Sequence, residues 1–344
     1  MRAIQFHAFG QMPRLVNAPS PICPDDGVVL DVRATGVCRS DWHAWKGHDP
    51  VDLPHIGGHE LVGTIAEAGR SVRRWRVGDR VTTPFVCGCG NCAVCLAGQA
   101  QVCPQQTQPG FTGPGSFAEH VALHAADVNL VAVPDSMDDV TAASLGCRFA
   151  TAYRALVVHG RVQPGQLLAV HGCGGVGLSA VMIGVALGAR VIAVDLNPAA
   201  LARAEVLGAE VAIHGGPDAA PRIQELGGAH VSIDALGVPE TAVSSVCSLR
   251  RRGRHVQVGL LLGRASTPPL PMDRVTAHEL EIYGSHGMAA SDYPPMMSMI
   301  SEGCLDPRAL VGDVITLDEI PAALAAMDSP SVTGGLTVAK LVSR

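Results

Sequence analysis

Residues 167–177 read Leu167-Leu168-Ala169-Val170-His171-Gly172-Cys173-Gly174-Gly175-Val176-Gly177. Leu167 to His171 is a short apolar run of strand length, and Val176 to Leu187 continues as a helix. Between them the glycines satisfy G-x-G-x-x-G in the context that gives the pattern meaning, after a strand and opening a helix. Glycine there permits a tight turn and close approach of backbone to a pyrophosphate, while the helix N-terminus favours anionic phosphates. Gly172, Gly174, Gly175, Val176 and Gly177 are therefore candidate cofactor residues. The next strand, Val191 to Val194, ends at Asp195, eighteen residues after Gly177. A carboxylate at that place accepts from a ribose 2′-OH and repels a 2′-phosphate. Leu196-Asn197-Pro198 follows with no cation, so the pattern predicts NAD and not NADP.

Strand and helix keep alternating downstream. Asn197-Pro198 reads as N-cap and first helical residue, with Gly208 as the stop. Val231 to Asp234 and His255 to Val258 are further strands. The pattern predicts α/β architecture with a doubly wound parallel sheet. Beyond Gly284 the alternation fades: Tyr293 to Glu302 and Asp318 to Met327 read as helices, and Leu336 to Val342 as a closing strand. Upstream, Ser136 is a candidate cap for an Ala-rich helical stretch running to about His159.

Residues 1 to about 130 have a different period. Gly27 to Ala34, Leu61 to Ala68, Arg80 to Phe85 and Gly115 to Leu123 are strand-like and separated by turn residues, which predicts a small barrel-like β domain. With 344 residues the chain is long enough for two domains.

Composition excludes several functions. At net charge −6 the chain carries no electrostatic footprint for nucleic acid or an anionic membrane surface. Val162 to Ala189 lacks Asp, Glu, Lys and Arg, as a membrane helix would, but Pro164, His171 and its glycines divide it into two soluble elements. The segment Met1-Arg2-Ala3-Ile4-Gln5 has no export pattern, so a cytoplasmic location is expected. Eleven cysteines without that pattern favour metal ligation or buried thiols over disulfides.

Two regions carry metal chemistry. Cys89, Cys92, Cys95 and Cys103 are spaced by three, three and eight residues on a polar, Gly-rich loop, a pattern that closes a tetrahedron around a structural Zn²⁺. Cys87 competes with Cys89 for the first position, and the even spacing favours Cys89. In Cys38-Arg39-Ser40-Asp41-Trp42-His43 and Gly57-Gly58-His59-Glu60, a thiol, two imidazoles, a hydroxyl and two carboxylates are gathered. Cys38 and His59 are ligand types suited to zinc, and Asp41 is placed to orient a metal-bound imidazole.

With these three motifs in this order, the whole chain resembles the zinc-dependent medium-chain alcohol dehydrogenases. The resemblance implies a GroES-like catalytic domain over 1–147, a Rossmann NAD-binding domain over 148–285, and a segment 286–344 returning to the first. It adds Cys147, which alone reads as a buried helix thiol, as the third ligand of the catalytic zinc with Cys38 and His59. It places Glu60 behind the metal, Arg39 at the pyrophosphate and Thr151 near the nicotinamide, and Val258 is counted with the cofactor residues. Two zincs per chain are expected, one catalytic and one structural. The implied reaction is reversible hydride transfer between a primary or secondary alcohol and NAD through a zinc-bound alkoxide, giving aldehyde or ketone. Ser40 and His43 relay the proton. A polyol or amino-alcohol dehydrogenase is the alternative, though polyol enzymes often use a carboxylate for the third thiolate. A non-catalytic relative would need no relay. A homotetramer or homodimer is implied, with Val256 to Leu262 and Leu280 to Gly284 as apolar strands for assembly.

The sequence also departs from the family. Where many members carry a cofactor-binding Arg near the C-terminus, this chain reads Gly335-Leu336-Thr337-Val338. Phe85, Trp42 and Trp45 suggest an apolar substrate pocket. His286 has no assigned role.

Overall fold

A computed structural model of the chain describes residues 1–329 and 335–341. Strands β1 (Arg2–Gln5) and β2 (Arg14–Asn17) form a two-stranded antiparallel sheet. β3 (Val28–Val37), β4 (Glu60–Ala68), β5 (Arg80–Thr82), β6 (His120–Leu123) and β7 (Val131–Ala132) follow in the β-rich part. β8 (Leu167–His171), β9 (Arg190–Asp195), β10 (Val211–His214), β11 (Ala229–Asp234), β12 (Leu249–Gln257) and β13 (Glu281–Gly284) build a second sheet. β14 (Val311–Ile315) and β15 (Leu336–Lys340) return to the first, because β15 pairs antiparallel with β3. The expected closing strand thus begins at Leu336, while its last expected residue, Val342, lies outside the described residues.

The second sheet is parallel throughout, in the order β10-β9-β8-β11-β12-β13. Every residue of β8 is buried, as a central strand covered by helices on both faces requires. Strand order reverses between β8 and β11, so the crevice beyond their carboxyl ends is where a ligand belongs in such a sheet. Gly177 is needed there for a close approach, since a Cβ would run into the carbonyl oxygen of Gly172. The first sheet runs β14-β15-β3-β4-β5-β7, with β6 on β3, and packs its own core around Leu30, Leu61, Ile65 and Phe117. Burying one such side chain contributes roughly 1.5–3 kcal/mol.

Three expectations need correction. The helix start lies at Asp138, not Ser136, because the Asp138 carboxylate accepts from the Thr141 amide at 3.0 Å. Downstream the helix is not uniform: residues Leu145–Phe149 and Ala155–His159 are π-helical turns flanking a regular turn at Ala150–Arg154. Such turns insert a residue and redirect side chains, often at functional sites. Finally, β12 stops at Gln257, and Val258, Leu260 and Leu262 line a cleft instead of continuing a strand. Among the described residues, no helix is long and apolar enough to cross a membrane.

Candidate active site and metal centres

Cys38 follows β3 and is the N-cap of the helix Arg39–Lys46, His59 precedes β4, and Cys147 sits in the π-helical turn. Three separate elements thus converge, and the ligand atoms of Cys38, His59, Glu60 and Cys147 all lie within 4.8 Å of one another. Asp41 fixes two of them. One carboxylate oxygen accepts from the Cys38 amide at 2.9 Å, and the other accepts from the Gly58 amide at 3.0 Å and contacts His59 Nδ1 at 2.8 Å. Gly58 has φ of +98°, and a Cβ there would strike Phe117.

With Nδ1–H donated to Asp41, the lone pair of His59 is on Nε2. That atom is fully buried and has no hydrogen-bond partner. A buried imidazole nitrogen left bare beside two thiols is costly unless something fills its lone pair, so the donor set fits a thiophilic divalent cation. Hydrogen bonding to Cys147 draws the Cys38 thiol well below its ordinary range, against its burial. The same contact, with burial, drives Cys147 well up. Burial alone would depress His59, yet the charge and hydrogen bond of Asp41 lift it well above normal. A divalent cation held here would have to displace the protons of His59 and Cys147, so its binding would depend on pH.

Glu60 is fully buried but does not stand free. Its Oε1 accepts from Arg148 Nε at 2.9 Å and from the Arg148 amide at 3.1 Å, and Oε2 pairs with Arg148 Nη2. Burial raises the Glu60 pKa, with Arg148 opposing it.

Ser40 Oγ lies 3.9 Å from Cys38 Sγ. His43 Nδ1 faces His48 Nδ1 at 3.1 Å, and burial, then His48 and Arg39, lower its pKa. Among the described residues no hydrogen bond joins Ser40 to His43, so the two relay candidates share a cleft but not a direct link. Arg39 stacks on Trp42, 4.8 Å from the ring centroid, and donates to the Met327 carbonyl.

A cleft of roughly 1100 Å³ runs from Cys38, His59 and Cys147 past Thr151 to the turn at Gly174 and Gly175. Thr151 Oγ1 is buried without a partner. Asp195 Oδ2 accepts from the Cys173 amide at 2.6 Å and Oδ1 from the Asn197 amide at 2.8 Å, so the carboxylate is part of the turn. Val258 donates its amide to Asp234 O at 3.0 Å and lines the cleft with Gly259.

Near the metal group the cleft wall is Phe85, Gln108, Phe111 and His286. The Phe111 ring lies 5.2 Å from that of His59, and Phe85 lies 5.2 Å from His286. The two tryptophans are elsewhere. Trp45 is buried in the first core with its N–H on Gln11 O, and Trp42 donates to Asp328. The aromatic wall is therefore Phe85 with Phe111, and nothing in the residue pattern around Gln108-Pro109-Gly110-Phe111 signalled the second ring. Sequence reasoning also passed over Arg148, Gln108 and His48.

The second cysteine group closes as spaced. The sulfurs of Cys89, Cys92, Cys95 and Cys103 lie within 4.8 Å of one another. Amides of Cys89, Cys95 and Gln105 point at the sulfurs of Cys103, Cys92 and Cys103 at 3.5, 3.4 and 3.3 Å, which stabilises thiolate charge. Cys87 is excluded from this group: its thiol contacts Thr83 Oγ1 and Pro84 O, and burial pushes it up to about 11.

The chain is similar to known proteins. Residues 24–135 match the alcohol dehydrogenase GroES-like domain, and residues 175–302 match the zinc-binding dehydrogenase family. The chain is 30% identical over 343 residues to an alcohol dehydrogenase of Geobacillus stearothermophilus, covering 98% of each. It is 32% identical over 335 residues to a sorbitol dehydrogenase of Bacillus subtilis, covering 94% of this chain and 92% of that one. Alcohol dehydrogenase TADH from Thermus sp. ATN1 superimposes with a TM-score of 0.91 at 27% identity, covering 99% and 100% of the two chains.

Proposed function

The chain belongs to the zinc-dependent medium-chain alcohol dehydrogenases, and from that premise we propose that it interconverts a primary or secondary alcohol with its aldehyde or ketone by hydride transfer to NAD. The observation that carries the reading is the bare Nε2 of His59 beside Cys38 and Cys147, in a cleft continuous with the glycine turn. These three residues would hold the catalytic zinc, and Cys89, Cys92, Cys95 and Cys103 a structural one. When bound, zinc supplies a Lewis acid that makes an alcohol easier to deprotonate, and NAD supplies the hydride acceptor.

The chain's own residues do the rest. Asp41 holds the His59 tautomer and ring plane. Ser40 Oγ, 3.9 Å from Cys38 Sγ, takes up the substrate proton. Burial lowers the pKa of His43, which favours the neutral ring that a proton acceptor needs. The glycine turn and Asp195 orient the dinucleotide, with Arg39, Thr151 and Val258 along its length. Phe85 and Phe111 exclude water beside the metal group. The division 1–147, 148–285 and 286–344 assigns the metal sites to the first unit and the dinucleotide to the second. Edge strand β13, with no neighbour beyond it among the described residues and Ile282 39% exposed, is the surface we assign to homodimer or homotetramer assembly.

A polyol substrate is disfavoured, since Cys147 supplies the third ligand and the nearby carboxylate of Glu60 is engaged by Arg148. The aromatic wall predicts that kcat/KM for aromatic or medium-chain alcohols exceeds that for ethanol. Steady-state NADH formation across such a panel tests this, and equal or faster turnover of ethanol overturns the substrate assignment.

A further inference from the structure

Arg148 follows the ligand Cys147 directly, yet its side chain turns away from solvent and is only 9% exposed. Its neighbours come from three separate places. On one side it takes both oxygens of Glu60, through Nε and Nη2, and adds its own amide. On another it passes Gly36 of β3, where a Cβ would collide with Glu60 Oε2 and approach Arg148 Nη2. On the third it crosses the dinucleotide turn: a Cβ on Gly175 would meet Arg148 Cδ at 2.5 Å and Leu336 Cδ2 at 2.8 Å. Two glycines thus make room for this one side chain.

Glu60 needs such a restraint. A carboxylate oxygen of Glu60 already lies within 4.8 Å of the ligand atoms of Cys38, His59 and Cys147. Carboxylate oxygen is itself a zinc ligand, so an untethered Glu60 would compete for the fourth position that a catalytic site must leave open. Arg148 also sets a positive charge directly against the buried Glu60 carboxylate. We propose that Arg148 is a positioning residue that holds Glu60 out of the catalytic metal's ligand shell and so leaves the fourth position to substrate. The bidentate grip matters as much as the charge, because only a planar guanidinium takes both oxygens at fixed geometry.

This inference rests on the zinc reading above, and the test separates the two. Cobalt(II) is exchanged into the catalytic site with zinc kept in the four-cysteine site. Imidazole binding to the open cobalt position is then titrated through the visible d–d spectrum. Wild type binds imidazole. Arg148→Met binds it more weakly by about tenfold or more, a size in line with the effect of outer-shell partners, with a cobalt spectrum showing an added oxygen ligand. Arg148→Met/Glu60→Gln recovers wild-type imidazole affinity, because the competing carboxylate is gone. A purely structural role for Arg148 would not be relieved by the second substitution. If Arg148→Met does not fold, Arg148→Lys replaces it: one ammonium cannot grip both oxygens, and imidazole affinity again falls short of wild type. Unchanged imidazole affinity and spectrum in the single variant, or a double variant as weak as the single, overturns the proposal alone. Failure of wild type to take cobalt at this site overturns the zinc reading and the proposal with it.

Discussion

Asp41 and His59 are joined at 2.8 Å with both side chains almost fully buried, and the same carboxylate holds the amides of Cys38 and Gly58. One residue therefore sets the position of two ligands and the tautomer of one. Asp41→Asn can still accept on one oxygen, but its NH₂ presents a donor where the other oxygen now accepts. The expected result is a 10–100-fold loss of metal affinity with the fold retained, read by competition with a chromogenic chelator and by far-UV circular dichroism. Unaltered affinity would mean that Asp41 does not orient the ligand.

The four-cysteine group predicts a different response. Cys103 is buried and contacts the sulfurs of both Cys89 and Cys92. Cys103→Ser should lose one zinc, keep the other, and shorten the half-life at elevated temperature, because a structural site contributes folding energy and no chemistry. Zinc per chain and thermal inactivation report both. Loss of turnover at 25 °C with no change in half-life would contradict the assignment.

Asp195 should decide between the two nicotinamide dinucleotides. Asp195→Asn keeps one oxygen for the Cys173 amide and removes the charge that repels a 2′-phosphate. The ratio of kcat/KM for NAD over NADP should fall by about tenfold or more, since like charges about 4 Å apart near a surface repel by up to about 4 kcal/mol. An unchanged ratio would place discrimination elsewhere.

The parallel sheet carries a pH dependence of its own. His171 is 1% exposed and contacts Ser248, and burial, with His255 nearby, pushes it down to about 3. The unfolded chain protonates this ring near 6.5, while the folded chain resists until about 3. Stability is therefore complete above about pH 6.5 and declines as pH falls, by about 1.4 kcal/mol per unit for this one group. In urea unfolding at pH 7.5 and 5.5, His171→Asn should lose about 1 kcal/mol less than wild type across that interval. Equal losses would show that His171 is not what the acid acts on.

The parts legible in sequence were those whose chemistry is local. The Gly172–Gly177 turn sits between its own strand and helix, and the four cysteines share one loop, so spacing alone described both. The Asn197 cap and Pro198 were legible for the same reason. The metal triad is assembled across the chain, from β3, the start of β4 and a π-helical turn, and Cys147 was reached through resemblance and not through its surroundings. Arg148 and Phe111 were invisible, because a buried arginine and a second pocket ring gain meaning only from what tertiary packing sets against them. Trp42 and Trp45 were misplaced on the same account: proximity in sequence to Cys38 suggested a pocket, but Trp45 lies in the first core and Trp42 packs half-buried against it with its N–H on Asp328. Short edge strands such as β10 and β14 lacked the length for periodicity to register.

The central claim is that Cys38, His59 and Cys147 form a catalytic zinc site distinct from the four-cysteine site. The most direct test is zinc per chain, measured together with NAD-dependent alcohol oxidation, in wild type and Cys147→Ala. Two zincs should fall to one, with oxidation lost and the fold retained. A variant that keeps both zincs, or a wild type that holds only one, would contradict it.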